Sequence, residues 1–229
     1  MTLLEITTSE IFLINTISSK LMALPVLLGI IFYKNLTPVF RAIFYYCLQL
    51  LIASSVLMIL SSKGFHTLTL SHIMTFIEIQ FIFTIFLLKF KIDKKQKVLF
   101  FILSAIGGLI FTFVPLIDIT ILTYGYLTVY SNSLLIISAV IFLISNMKSY
   151  KTTDDTAAFR IFSIAIFIFF SSVFLIDFIG ISDLLPVREM LLLNITKSVF
   201  YTIYCITIAI SVFVCWRDQK RQIKTSVMS

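Results

Sequence analysis

The chain is built from long apolar blocks broken by short charged stretches, and that punctuation decides its class. The stretch "LTLSHIMTFIEIQFIFTIFLLKF", residues 68 to 90, carries one carboxylate and no other charge before its last two residues. At 1.5 Å of rise per helical residue, about twenty such residues cover the ~30 Å hydrocarbon core of a bilayer. Seven blocks of this kind follow one another, at about 11–33, 39–61, 68–90, 98–116, 123–147, 159–179 and 191–215. Hydrophobic residues make up 59% of the 229 residues and charged residues 13%. Ordinary soluble domains hold about 45–50% and about 25%. A membrane β-barrel is excluded, because its strands alternate over about ten residues while these blocks are continuous and twice as long. The expected fold is all-α: a polytopic integral membrane protein, one seven-transmembrane-helix bundle over residues 1–229 with a short basic tail at 216–229.

Lysine and arginine then set the expected orientation. Lys34 and Arg41, the cluster from Lys89 to Lys97, Lys148, Lys151 and Arg160, and the tail from Arg217 to Lys224 place fourteen of the eighteen basic residues on one side. Lys63 and Arg188 lie on the other, and Lys20 and Lys197 fall inside helices. The positive-inside rule makes the first side cytoplasmic, which puts the N-terminus outside and the C-terminus inside. A bacterial inner (plasma) membrane suits this pattern. The +7 net charge is topogenic, so no nucleic-acid partner is expected. "KFKIDKKQK" and the tail offer a surface for anionic lipid at the cytoplasmic face. "MTLLEITTSE" has no basic residue ahead of the first block, so that block is expected to be a retained helix rather than a signal peptide. Pro38 marks the start of the second helix, and Asp155 or Thr156 that of the sixth.

The informative residues are the polar ones inside the blocks. A charge at the bilayer centre costs at least about 2.5–3.5 kcal/mol and marks an interior or functional position. Lys20, Glu78, Asp177 and Lys197 are such residues, joined at similar depth in the outer half by His72, Asn132 and Asn194. Glu78 paired with Lys197 or Lys20 is the preferred internal ion pair. On the third helix Ser71, Thr75 and Glu78 form one stripe, with Gln80 and Thr84 nearly opposite, so that helix is expected to be surrounded by protein. On the seventh, Asn194, Lys197, Tyr201 and Tyr204 follow i, i+3, i+7 and i+10. These side chains are candidates for an outward-facing pocket or a buried ion pair.

Cys47, Cys205 and Cys215 form no C-x-x-C pair, so no redox or zinc motif follows. Cys215, at the cytoplasmic end of its helix, has a placement that permits S-acylation, but an apolar core cysteine is the favoured expectation. His66 and His72 are too few to make a metal hydrolase the main expectation. No cofactor and no catalytic residue is expected. A retinal protein would pair Lys197 with Glu78 but lacks the tryptophans around the chromophore, since Trp216 is the only one.

The seven spans, the "FIEIQFIF" third helix and the short basic tail resemble small uncharacterised bacterial seven-helix membrane proteins, and are similar to the seven-helix input modules of bacterial sensor kinases. That resemblance implies sensing. Because 14 residues follow Cys215, output is expected through a separate cytoplasmic or membrane partner. Small-solute or ion transport is the alternative expectation, and an accessory subunit the third.

Overall fold

The computed structural model describes residues 8–65, 67–90, 93–117, 121–147, 156–180 and 187–228. His66, Lys91, Lys148, Lys151 and Asp155 lie outside the described residues. Every regular element among the described residues is helical: α1 (Thr8–Lys20), α2 (Ala23–Phe32), a single 3-10 turn (Tyr33–Asn35), α3 (Pro38–Ser62), α4 (Leu68–Lys89), α5 (Lys94–Ile117), α6 (Ile121–Met147), α7 (Thr156–Gly180) and α8 (Val187–Met228). Five of the described spans are long and apolar enough to cross a membrane, and α6 adds a shorter apolar stretch, Val129–Ser145. The chain is an integral membrane helical bundle.

Two elements differ from expectation, each for a local reason. The first block is not one helix but two, α1 and α2, interrupted at Leu21 and Met22. Pro25 has no N–H, and its ring crowds the carbonyl four residues earlier, which belongs to Leu21. The Leu24 N–H accordingly bonds the Leu21 carbonyl at 3.0 Å, a tighter i−3 closure. The apolar part of this span runs from Thr16 to Asn35. That places exposed Lys20 about 6 Å from the start of the span, within snorkelling reach of its edge. The last block, in contrast, does not stop at Cys215: α8 continues to Met228. Its 42 residues contain neither glycine nor proline, and Gln219, Lys220, Arg221 and Gln222 are all good helix formers.

Pro38 stands in the first turn of α3, where a missing N–H costs nothing. At the other end Gly64 has φ +77, the left-handed turn that closes a helix. The Phe65 N–H reaches back to the Leu60 carbonyl at 3.1 Å.

Six helices close a ring: α2 packs on α3 and α8, α3 on α4, α4 on α6, α6 on α7, and α7 on α8. Segment α1 lies outside against α8 and α3, and α5 lies outside against α4 and α6. Toward the end of the bundle that carries Lys34, Arg41, Lys89 and Arg217, here the basic end, the ring is filled by aromatic rings. Phe86, Phe142, Phe159 and Phe162 are buried, with Phe142 and Phe159 edge-on at 4.6 Å and Phe86 and Phe159 at 5.7 Å. Such pairs add about 0.5–1.5 kcal/mol each beyond burial. Trp216 stacks on Phe32 at 4.3 Å and lies under the Lys220 ammonium at 5.3 Å, which ties α8 to the end of α2.

Helices in lipid associate through close packing and hydrogen bonds rather than through the hydrophobic effect. The α4–α5–α6 corner uses both. The Gln80 amide donates to the carbonyl and hydroxyl of buried Ser104, each at 3.2 Å, and the Tyr130 hydroxyl donates to the same carbonyl at 3.4 Å. A Cβ on Gly107 would overlap the Tyr130 hydroxyl, and one on Gly108 would come within 2.6 Å of the Phe76 ring. Gly107→Leu is therefore expected to push Tyr130 off Ser104 and cost about 1–3 kcal/mol, read as a lower denaturation midpoint in detergent micelles. An unchanged midpoint would mean that this corner contributes nothing to stability.

Candidate functional site

Three helices meet at Glu78. The carboxylate hangs from the middle of α4, ten residues from Leu68, and Oε1 accepts a hydrogen bond from the Tyr46 hydroxyl of α3 at 3.1 Å. The Tyr46 hydroxyl is also 2.7 Å from the Tyr204 hydroxyl of α8. With the Tyr46 proton directed at Glu78, Tyr204 donates to Tyr46, so the chain runs Tyr204 to Tyr46 to Glu78. Both tyrosines are among the most completely buried large side chains described. The Tyr204 ring stacks on Phe169 of α7 at 4.5 Å, which holds the hydroxyl in place.

Toward the end opposite the basic one, Lys197 Nζ donates to Asp177 Oδ1 at 3.0 Å and joins α8 to α7. Their side chains are 42% and 20% accessible. The expected direct pairing of Lys197 with Glu78 is therefore not the one formed. Asp177 stands opposite Lys197 across the α7–α8 packing, while Glu78 takes its bond from a phenol. Between the two groups Tyr201 packs edge-on to Phe169 at 5.7 Å and tilted against Tyr204 at 6.1 Å.

The two stripes share an accessibility gradient. On α4, Ser71, Thr75 and Glu78 are partly accessible, and the next positions along the same face, Ile82 and Ile85, are buried. On α8, Asn194 is exposed and Lys197 and Tyr201 are partly accessible, whereas Tyr204, Ile208 and Cys215 are buried. Along both stripes, then, the side chains are buried on the basic side of Glu78 and Tyr201 and partly accessible from these two residues toward the other end. One turn along α3 from Tyr46 lies Gln49, on the same face by i, i+3 spacing. Neither of its amide atoms has a hydrogen-bond partner among the described residues, and the same holds for Asp177 Oδ2.

Four candidates, Glu78, Asp177, Lys197 and Tyr201, come together in this seam, with Asn194 at its exposed end. The other three do not. Lys20 is exposed on the outside of the bundle, because its helix turns Ser18 inward, where the Thr202 hydroxyl donates to it at 3.2 Å. His72 is 3% exposed, on a different α4 stripe that continues through Ile79, Phe83 and Phe86. Asn132 is 2% exposed, on the α6 face shared with Leu135 and Ala139. Tyr46 is absent from the residues expected from sequence, because beyond Arg41 the second block carries no charged residue to draw attention to its polar face. The signal was its i, i+3 relation to Gln49. Cys215 is fully buried in the core, as expected of an apolar core cysteine and not of an S-acylation site.

Fold and site together define an integral membrane bundle with a polar interior seam. No family model matches the chain, and no curated protein or solved structure matches it.

Proposed function

We propose that this chain is a membrane-embedded sensing module that admits a small ligand into the seam ending at Glu78, and that it acts through a separate protein partner. The gradient of accessibility along α4 and α8 carries this proposal. Its accessible end is opposite the basic loops, which under the positive-inside rule makes the seam outward-facing in a plasma membrane, with the N-terminus outside and the C-terminus cytoplasmic. Binding in the seam touches α3, α4, α7 and α8 at once, so a ligand that favours one arrangement of these helices shifts the equilibrium between arrangements. The helical extension of α8, with Arg217, Lys220 and Arg221, offers the partner a basic surface.

A second proposal, transport of a small solute or ion, is favoured by the break between α1 and α2, since interrupted helices line the substrate paths of many transporters. Cysteine labelling separates the two. Thr75→Cys, in a background with Cys47, Cys205 and Cys215 replaced, is expected to react with a membrane-impermeant maleimide from the side opposite the basic loops only. Reaction from both sides would favour alternating access and hence transport. Failure to react from either side, or reaction from the basic side alone, would overturn both proposals.

A further inference from the structure

We infer that the crevice between α2 and α3 at the basic end binds one anionic phospholipid, its phosphate held by Arg41 and Lys34 and its acyl chains laid along the two helices. The site is separate from the seam at Glu78 and does not depend on it.

Arg41 stands in the first turn of α3, about 4.5 Å along the axis from Pro38. The 25 residues of α3 are about 37 Å long, so they overrun a ~30 Å hydrocarbon core by about 4 Å at each end. Arg41 is therefore rooted where the hydrocarbon gives way to the lipid phosphates. The end of α2 holds its side chain there: Cζ lies 5.2 Å from the centre of the Tyr33 ring, and Nη2 donates to the Lys34 carbonyl at 3.5 Å. Most of the guanidinium donors remain unspent, and the buried Nε has no hydrogen-bond partner among the described residues. No carboxylate among the described residues pairs with Arg41 or Lys34, so two neighbouring positive residues are uncompensated. The Tyr33 and Tyr45 hydroxyls are 2.7 Å apart. One proton fills that bond whichever oxygen donates, and the other hydroxyl keeps its proton for an outside acceptor. A guanidinium fork, an ammonium and a hydroxyl proton together suit a phosphate, whose ionised oxygens accept such bonds.

The surface below this cluster favours a lipid over a free anion. On α2, exposed Leu27 and Ile31 lead by helical spacing to exposed Lys34. On α3, Arg41, Tyr45 and Ile52 follow i, i+4 and i+11, and the last two are exposed. The two lines are neighbours because α2 packs on α3, closely enough that a Cβ on Gly29 would overlap the Phe44 ring. Each positive residue thus ends an apolar lane, which is the profile of a headgroup with its chains attached. The positive charge of a choline headgroup would be repelled here, so a lipid of net negative charge is preferred.

Thermal unfolding of the full chain in neutral maltoside micelles tests the inference, with dioctanoyl phosphatidylglycerol, dioctanoyl phosphatidylcholine and glycerol phosphate as probes at constant ionic strength. Phosphatidylglycerol is expected to raise the melting temperature saturably, and at lower concentration than either other probe. Its half-saturating concentration is expected to rise about tenfold in Arg41→Gln, which loses the charge-assisted bonds, and about fivefold in Lys34→Gln. Lys95→Gln removes an exposed charge at the same end and is expected to leave it unchanged. No saturable response, equal potency of the two lipids, or an unaltered midpoint in Arg41→Gln overturns the inference. An equal loss in Lys95→Gln also overturns it, by assigning the effect to diffuse charge. Glycerol phosphate acting at the same concentration as the lipid does so too, by assigning the site to a free phosphate. Should Arg41→Gln not fold, Lys34→Gln decides, because that side chain is exposed: a raised midpoint supports the inference, and an unchanged one overturns it.

Discussion

Tyr46→Phe is expected to destabilise the bundle by about 2–4 kcal/mol, while Glu78→Gln at the other end of the same hydrogen bond is expected to be nearly neutral. The asymmetry follows from what each change leaves behind. Removing the Tyr46 hydroxyl strips Glu78 of the bond it accepts at 3.1 Å and Tyr204 of its partner at 2.7 Å. A carboxylate and a phenol are then left unsatisfied between helices, and each orphaned group costs about 1–3 kcal/mol. Glu78→Gln keeps an oxygen that accepts from Tyr46 and removes the desolvation cost of a charge. Denaturant titration of both variants and of the double variant in one detergent checks the prediction through the coupling energy. Equal losses in the two single variants would show that the carboxylate's charge, not the hydrogen-bonded chain, holds these helices.

The second large effect concerns α7 and α8. Lys197→Met removes the cation bonded to Asp177 Oδ1 and leaves a carboxylate whose other oxygen already has no partner among the described residues. Breaking a fully buried pair costs about 3–5 kcal/mol. The 42% and 20% accessibility of these side chains lets solvent screen part of that, so a loss of about 1–3 kcal/mol is expected. Adding Asp177→Asn is expected to recover most of it. If the double variant is no more stable than Lys197→Met alone, Asp177 owes its stability to groups other than Lys197.

How much of this was legible in the sequence varies with the kind of signal. Helix starts are written locally: Pro38 and Thr156 begin α3 and α7 because first-turn preferences act within a few residues. The α8 polar stripe was equally readable, since i, i+4, i+7 spacing alone places Lys197, Tyr201 and Tyr204 on one face. The Lys197 partner was not. Similar depth along the helix axis is not enough to pair Glu78 with Lys197, because pairing also needs helix order around the ring. In that order α7, not α4, lies beside α8. The break at Leu21 was available in Pro25, but a long apolar run masks a kink. The extension of α8 past Cys215 was hidden because hydropathy reports where lipid ends, not where a helix ends.

That extension has a mechanical consequence. From Tyr204, in contact with Tyr46, α8 runs unbroken to Met228, 24 residues or about 36 Å of rod. A tilt of roughly 5° pivoting at the tyrosine pair would carry the far tip sideways by about 3 Å over that length. Sub-ångström rearrangement beside Glu78 would thus become, by leverage alone, a displacement comparable to a hydrogen-bond length at the end of the helix.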